Sequence, residues 1–192
     1  MKSYKLNGNE ERIQRGNEWY TPPCYIEAAR VVMGDIDLDP ASCTEANKIV
    51  MARHYYTKEI DGLSQSWAYN TKPARIWCNP PYGKVGSSPG TGLSYQQLFV
   101  EKCVYEWACG HIEQAILLLL GNSCFARYFN PLWDHLVCIH DGGITFLKEG
   151  WYTERFGFGS LFVYLGPNTK KFIDVFSLYG RVVHAVGCEV AR

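Results

Sequence analysis

The chain has 192 residues, 47% hydrophobic and 20% charged, with 19 Lys plus Arg against 19 Asp plus Glu. That length suits one domain with a proper core, and the even charge excludes a protein that lives by tight non-specific nucleic-acid binding while leaving room for local basic patches. No apolar run approaches the roughly 18 residues of a membrane span; the longest, Ala115–Leu120, has the length of a buried strand, and the polar start Met1-Lys2-Ser3-Tyr4-Lys5 leads into no apolar signal segment. The expected compartment is therefore the cytoplasm, with no membrane partner.

In chain order, residues 1–16 lack periodicity and read as a flexible arm with a basic bias from Lys2, Lys5, Arg12 and Arg15. Residues 17–192 are expected to form a single domain. Thr21-Pro22-Pro23 opens a helix, with Thr21 as cap and Pro22 at the first helical position. That helix runs to Met33 and stops at Gly34. Ile36 and Leu38 alternate with Asp35, Asp37 and Asp39 in a short strand ending at Asp39-Pro40. A helical or irregular piece spans Asn47 to Ala52, followed by a strand at Tyr55-Tyr56-Thr57 and a turn at Asp61-Gly62. A strand at Arg75–Cys78 delivers Asn79. Residues 83–94, rich in Gly, Ser, Thr and Pro, read as a long mobile loop, the kind that tends to carry function in a compact domain.

Beyond it the pattern predicts a helix over Tyr95–Ala108 ended by Gly110, a buried strand at Ala115–Leu120 and a short helix near Phe125–Asp134. Strands follow at Leu136–His140, Ile144–Leu147 and Leu161–Leu165, then a helix over Lys170–Tyr179 and a last strand near Val182–Val186. Lys170, Lys171 and Arg181 add a basic bias there. Strands alternating with helices argue an α/β sheet with helices on both faces. The eight cysteines include no Cys-x-x-Cys pair, and several sit at apolar positions, so reduced buried thiols are expected and no metal site. The run Phe156-Gly157-Phe158-Gly159-Ser160 precedes a strand and not a helix, the wrong context for phosphate binding, and Gly83-Lys84 lacks the spacing of a phosphate loop.

The most telling residues are Asn79-Pro80-Pro81-Tyr82 after Arg75-Ile76-Trp77-Cys78. Two consecutive prolines set φ and remove two backbone donors, so this corner cannot pair with a neighbouring strand. An amide acceptor, a backbone carbonyl and an aromatic ring are left in one rigid corner. It can accept hydrogen bonds from an amino group and stack a flat ring, as alkylation of a purine's exocyclic amine requires. A plain Pro-Pro loop is the alternative.

Together with Trp19-Tyr20-Thr21-Pro22-Pro23, Ile36-Asp37-Leu38-Asp39-Pro40-Ala41-Ser42, Asp61-Gly62-Leu63-Ser64-Gln65-Ser66-Trp67 and Phe158-Gly159-Ser160-Leu161-Phe162, this corner resembles the small bacteriophage and prophage DNA adenine methyltransferases, the phage Dam-type family. The resemblance runs from about Trp19 to Gly166. It implies a class I, Rossmann-like methyltransferase fold with a mixed, mostly parallel sheet, and a place in a bacterial host cell. It implies S-adenosylmethionine as methyl donor, S-adenosylhomocysteine as product, and double-stranded DNA as partner; no obligate protein partner is inferred.

Ligands of open α/β sheets bind beyond the carboxyl ends of the strands. Asp37, Asp39, Pro40, Ala41 and Ser42 fall at such an end, where a carboxylate could hold the donor's ammonium; the alternative is a plain turn at Asp39-Pro40 with Asp37 solvated. The chain departs here from the Gly-x-Gly loop of many methyltransferases, carrying Ala41-Ser42-Cys43. By resemblance, Asp61 and Leu63 would face the donor's adenine or ribose, and Thr21 and Pro22 its methionine end. Asn79 and the Pro80 carbonyl would receive the adenine amine, with Pro81 rigidifying the corner. Tyr82 would stack on an adenine turned out of the duplex. Lys84 would meet DNA phosphate. Two other readings stay open on the residues: methylation of another planar amine, on an RNA base or a glutamine side chain, and a nucleic-acid-binding protein that keeps the fold without turnover.

Overall fold

The computed structural model describes residues 19–85, 92–148, 153–155 and 159–184. The arm expected at 1–16, residues 86–91 of the expected loop and Phe156-Gly157-Phe158 lie outside the described residues.

Helix α1 spans Pro23–Met33 and ends at Gly34, whose φ of +87° lets its N–H reach Arg30 O at 2.7 Å. The expected cap is displaced. Pro22 takes the capping position with an extended backbone (φ −57°, ψ 143°), because the following Pro23 disfavours a helical residue before it. Thr21 makes no capping bond; its hydroxyl is engaged elsewhere. Strand β1 (Leu38–Asp39) leads into α2 (Thr44–Val50), a regular helix that starts three residues before the helical or irregular piece expected over Asn47–Ala52, with Cys43 Sγ accepting from Ala46 N–H at 3.4 Å. Strands β2 (His54–Tyr55) and β3 (Ala74–Cys78) follow, then α3 (Tyr95–Ala108), with Ser94 Oγ capping Gln97 N–H at 3.0 Å.

Strand β4 runs from Ile112 to Leu120, three residues earlier than its apolar stretch predicts. The polar Gln114 is buried there because its carbonyl oxygen accepts from Tyr164 Oη (2.8 Å) and Asn168 Nδ2 (3.1 Å). The helix expected near Phe125–Asp134 is two 3-10 segments, Gly121–Phe125 and Arg127–Asp134, the second containing Pro131. Strands β5 (Leu136–His140), β6 (Thr145–Leu147), β7 (Thr153–Arg155) and β8 (Ser160–Leu165), helix α4 (Thr169–Phe176) and β9 (Gly180–Val183) complete the described chain. The last strand starts two residues before its expected position. A Cβ at Gly180 would lie 2.0 Å from Ile139 O, so only glycine allows β9 to approach β5 there.

Seven strands make one sheet in the order β2-β1-β3-β4-β8-β5-β9, with β6 and β7 forming a separate pair. Strands β2, β1, β3 and β4 are parallel neighbours, β8 runs antiparallel to both β4 and β5, and β9 is antiparallel to β5. The result is a mixed, mostly parallel α/β sheet of Rossmann-like type. Alternate side chains of each strand leave opposite faces, and the cores divide accordingly. Trp77, Ile116, Leu118, Phe162 and Tyr164 pack with α1 and α4, while Ile76, Cys78, Leu117, Leu119 and Val163 pack with α3 and the second 3-10 segment. Among the described residues, no helix is long and apolar enough to cross a membrane.

One ion pair locks β1 to β3. Arg75 Nε and Nη2 reach Asp37 at 2.7 and 2.8 Å, and Arg75 N–H adds a third bond at 3.0 Å. Desolvation works against the charged form of Asp37, but the Arg75 guanidinium and backbone bonds outweigh it and hold the carboxyl below its usual range. Arg75→Met leaves that carboxylate partly buried without its main cation. Loss of one partner of a buried pair costs about 3–5 kcal/mol; the side chains here are 22% and 10% exposed, so a loss of about 2–3 kcal/mol is expected by urea denaturation. An unchanged midpoint would show that Arg53, 3.5 Å from the same carboxylate, takes over.

Candidate active site

Parallel pairing sets the site. Leu38 is level with Ile76 and Cys78 with Leu117, so β1, β3 and β4 end on one edge of the sheet. The turns that follow β1, β2 and β3 enclose a cleft of about 930 Å³, at the upper end of the roughly 300–1,000 Å³ usual for small-molecule pockets. Its lining includes Thr21, Asp39, Pro40, Ala41, Ser42, Asp61, Leu63, Asn79, Pro80, Pro81 and Tyr82.

Asn79 is held by three hydrogen bonds. Its Nδ2 donates to Trp19 O at 3.0 Å and to Thr21 Oγ1 at 3.3 Å, and its Oδ1 accepts from Tyr82 Oη at 3.1 Å. A backbone carbonyl can only accept, so the contact with Trp19 decides which end of the amide carries the NH2. Oδ1 is therefore directed away from Trp19, with one lone pair beyond the Tyr82 bond for a further donor. Trp19 is itself set by backbone pairing of Tyr20 with Leu147 (2.8 and 3.0 Å), which brings Lys148 Nζ to 3.6 Å from the Trp19 ring centroid. Tyr82 lies edge-on to Phe146, and burial pushes its phenol pKa up, so the ring is neutral.

Asp39 is 3% exposed, and no basic side chain is paired with it among the described residues. Ala41 N–H donates to its Oδ1 at 3.1 Å, yet burial dominates and pushes its carboxyl up to about 7. Beside it, the Asp61-Gly62 turn packs against Pro40 so closely that a Cβ at Gly62 would meet Pro40 O at 2.0 Å. Asp61 adopts φ +56° and spends one oxygen on Leu63 N–H at 3.2 Å, the local turn bond that lets Asp tolerate this backbone. Trp67, fully buried, pins the turn through Nε1 to Gly62 O at 2.9 Å.

Two residues expected at the site do not line the cleft. Asp37 points its carboxylate at Arg75 and lines a smaller depression with Arg53 and Lys72 at the other end of the strand. Its neighbour Asp39, two residues and roughly 6–7 Å further along the strand, reaches the cleft instead. Pro22 is not part of the lining either. Lys84 is exposed outside the cleft, at the base of the expected loop, where it bridges to Ser94 while Val85 N–H donates to Leu93 O at 2.8 Å. The sequence reading missed Trp77, Tyr95, Leu98, Phe99 and the stretch Tyr56–Glu59 as lining residues. That stretch had a usable signal: it follows a strand parallel to β1, so it must emerge on the same edge.

The lining suits a cationic, amphipathic ligand with a flat ring. Asp39 is a buried carboxylate with no basic partner among the described residues, and a buried donor in the wall, Trp77 Nε1, makes no hydrogen bond among them. Among the described residues, no group of three or more His, Cys, Asp and Glu side chains is placed to hold a metal ion.

Residues 9–159 match the model of the DNA N-6-adenine-methyltransferase (Dam) family. No match was found among curated proteins.

The Asp39 carboxyl yields a stability prediction. Its folded pKa of about 7 exceeds that of an unfolded Asp, about 3.9. Folded protein keeps this proton where the unfolded chain has lost it, so Asp39 costs stability increasingly from about pH 4 to pH 7 and by a constant amount above. The unfolding free energy of Asp39→Asn minus that of wild type should rise over this window and level off, reaching on the order of 2–4 kcal/mol at pH 8 without ligand. A difference independent of pH would mean that Asp39 titrates normally.

Proposed function

From a chain that belongs to the DNA N-6-adenine-methyltransferase (Dam) family, we propose that the cleft between Asp39 and Asn79 is where methyl donor and target adenine meet. The reaction of this family is methyl transfer to the N6 amine of adenine in DNA, and the donor it implies is S-adenosylmethionine. The observation that carries the reading is a single cleft holding both the cation-deficient Asp39 and the locked amide of Asn79.

Asp39 would hold the donor's ammonium, Thr44 and Ser42 would line its polar end, and Leu63 with the Asp61 turn would border its ring and ribose. When bound, the donor supplies an electrophilic methyl on a sulfonium sulfur, a good leaving group. On the acceptor side, Asn79 Oδ1 and the Pro80 carbonyl accept the two N6 hydrogens. They orient the nitrogen lone pair toward the methyl and build negative character on it. Neither group is basic enough to keep a proton, so the N6 proton leaves to solvent after the new C–N bond forms. No covalent enzyme nucleophile is needed, and alignment alone can be worth roughly 7–11 kcal/mol.

A base inside a duplex cannot present its amine in line with a donor buried in such a cleft, so the adenine is turned out of double-stranded DNA, with Tyr82 against its ring. Lys84, exposed beside the cleft mouth, would contact a phosphate and thereby position the duplex without reading sequence. Residues 17–192 would act as one methyltransferase unit; the sheet draws its strands from Leu38 through Val183.

Incubating the protein with labelled donor and duplex DNA, digesting the product to nucleosides and weighing the methylated one tests the reading directly. N6-methyladenosine in its deoxy form is expected; methyl on another base, or none, overturns it. Asn79→Ala should lower turnover by about 10²–10³-fold, the effect of removing one positioned polar group at a transition state, while calorimetric donor affinity changes little. Near-wild-type turnover in the folded variant would take catalysis away from this corner.

A further inference from the structure

The turn after β4 presents a side chain that the cleft does not use. Phe125 is 90% exposed, more than any other large apolar side chain among the described residues. A bare phenyl ring in water gives up the burial that stabilises most aromatics. Its neighbours do not share this fate: Phe129 and Leu132 are buried, and Cys124, Tyr128 and Trp133 pack against the core.

The exposure does not come from a loosely held turn. Gly121 N–H donates to Gly159 O at 2.6 Å, and a Cβ on Gly121 would meet that backbone at 2.9 Å. Ser123, 3% exposed, donates through Oγ to Gln96 Oε1 at 2.7 Å, and the same oxygen accepts from Leu120 N–H at 3.3 Å. Ala126 N–H closes the turn on Ser123 O at 3.0 Å. Gln96 belongs to α3, whose residues Tyr95, Leu98 and Phe99 form part of the cleft wall. The ring is thus carried on a braced backbone fastened to the wall of the site.

Its position is on the substrate side. Strand β4 pairs Leu117 with Cys78 and continues to Leu120, so the turn leaves the same sheet edge as Asn79. Asn122, Arg127 and Asn130 are the exposed polar residues around it, and no acidic residue occurs between Glu113 and Asp134 in the sequence. An apolar ring flanked along the chain by amides and a guanidinium fits a polyanion with a hydrophobic interior. Duplex DNA has that chemistry.

We propose that Phe125 is a wedge that enters the base stack in the space vacated by the target adenine, with Arg127 on an adjoining phosphate. Inserted apolar side chains unstack and hold open a duplex step in this way. The inference rests on the extruded-adenine reading above and names the residue that would sustain it. Phe125 touches DNA but not the reacting atoms.

The test uses the full chain and a duplex carrying a mapped target adenine. Phe125→Ala should lower single-turnover methylation of that duplex roughly 10- to 100-fold, the factor expected from losing one base–aromatic stack. Opposite an abasic site the adenine is already unpaired, and the loss should shrink to within about threefold. Phe125→Trp should retain most of the duplex rate, and calorimetry should find donor affinity unchanged in both variants. Equal duplex rates for Phe125→Ala and wild type would overturn the wedge, as would an equal loss on both substrates. The reading beneath it is followed separately with 2-aminopurine at the target position. Emission that rises when wild-type protein binds supports extrusion; emission that stays flat removes it, and the wedge with it. Emission that rises alike in wild type and Phe125→Ala, with equal rates, leaves extrusion standing and sinks the wedge alone.

Discussion

A single side-chain amide joins the parts of this cleft. Asn79 reaches back across the chain to the Trp19 carbonyl and the Thr21 hydroxyl, and its oxygen receives Tyr82 three residues on. Both its donors are spent on acceptors within the protein, so the one acceptor position left is the only polar function that it can offer a ligand. The same bonds tie the segment ahead of α1 to the end of β3. Structural order and chemical direction here come from one group. An aspartate at this position would put a carboxylate against the Trp19 carbonyl, two acceptors facing each other, and the segment would have to move.

The aspartates near β1 show how position alone separates identical side chains. Asp37 meets Arg75 and stays ionised; Asp39, further along the strand, meets no basic side chain among the described residues, and burial pushes its carboxyl up to about 7. The first is a clasp between strands. The second carries a desolvation cost that no basic side chain among the described residues offsets, and such costs concentrate where a ligand supplies the missing charge. In the reading proposed here, the donor's ammonium does so, which couples donor affinity to the ionisation of Asp39.

Close backbone approach does the remaining shaping. Gly62 lets its turn lie on Pro40, and the Trp67 indole holds it there through Gly62 O, while the Trp67 backbone N–H donates to Glu106 Oε2 at 3.4 Å. Lys102 and His111, each 2.5 Å from Glu106, keep that buried carboxylate charged and its pKa low despite burial. An ion cluster at the end of α3 is thereby linked, through the backbone and indole of Trp67, to the rim of the cleft.

Local pattern made much of this legible. The helix Tyr95–Ala108 and the strand Leu136–His140 have the bounds that their periodicity and flanking breakers dictate. The Asn79 corner follows its strand because two prolines admit nothing else. The sequence by itself determined most of the element types, the α/β class and the residue types gathered at the strand ends, since these follow from period, turn chemistry and propensity within a few residues. Only the tertiary structure decided that Asp37 would pair with Arg75 while Asp39 would meet no basic side chain among the described residues, that Thr21 would serve Asn79 and not its own helix, and that Gln114 could extend β4 into the core. Each of those outcomes depends on which strands lie side by side and in what register, and partners tens of residues apart leave no periodic trace in the chain.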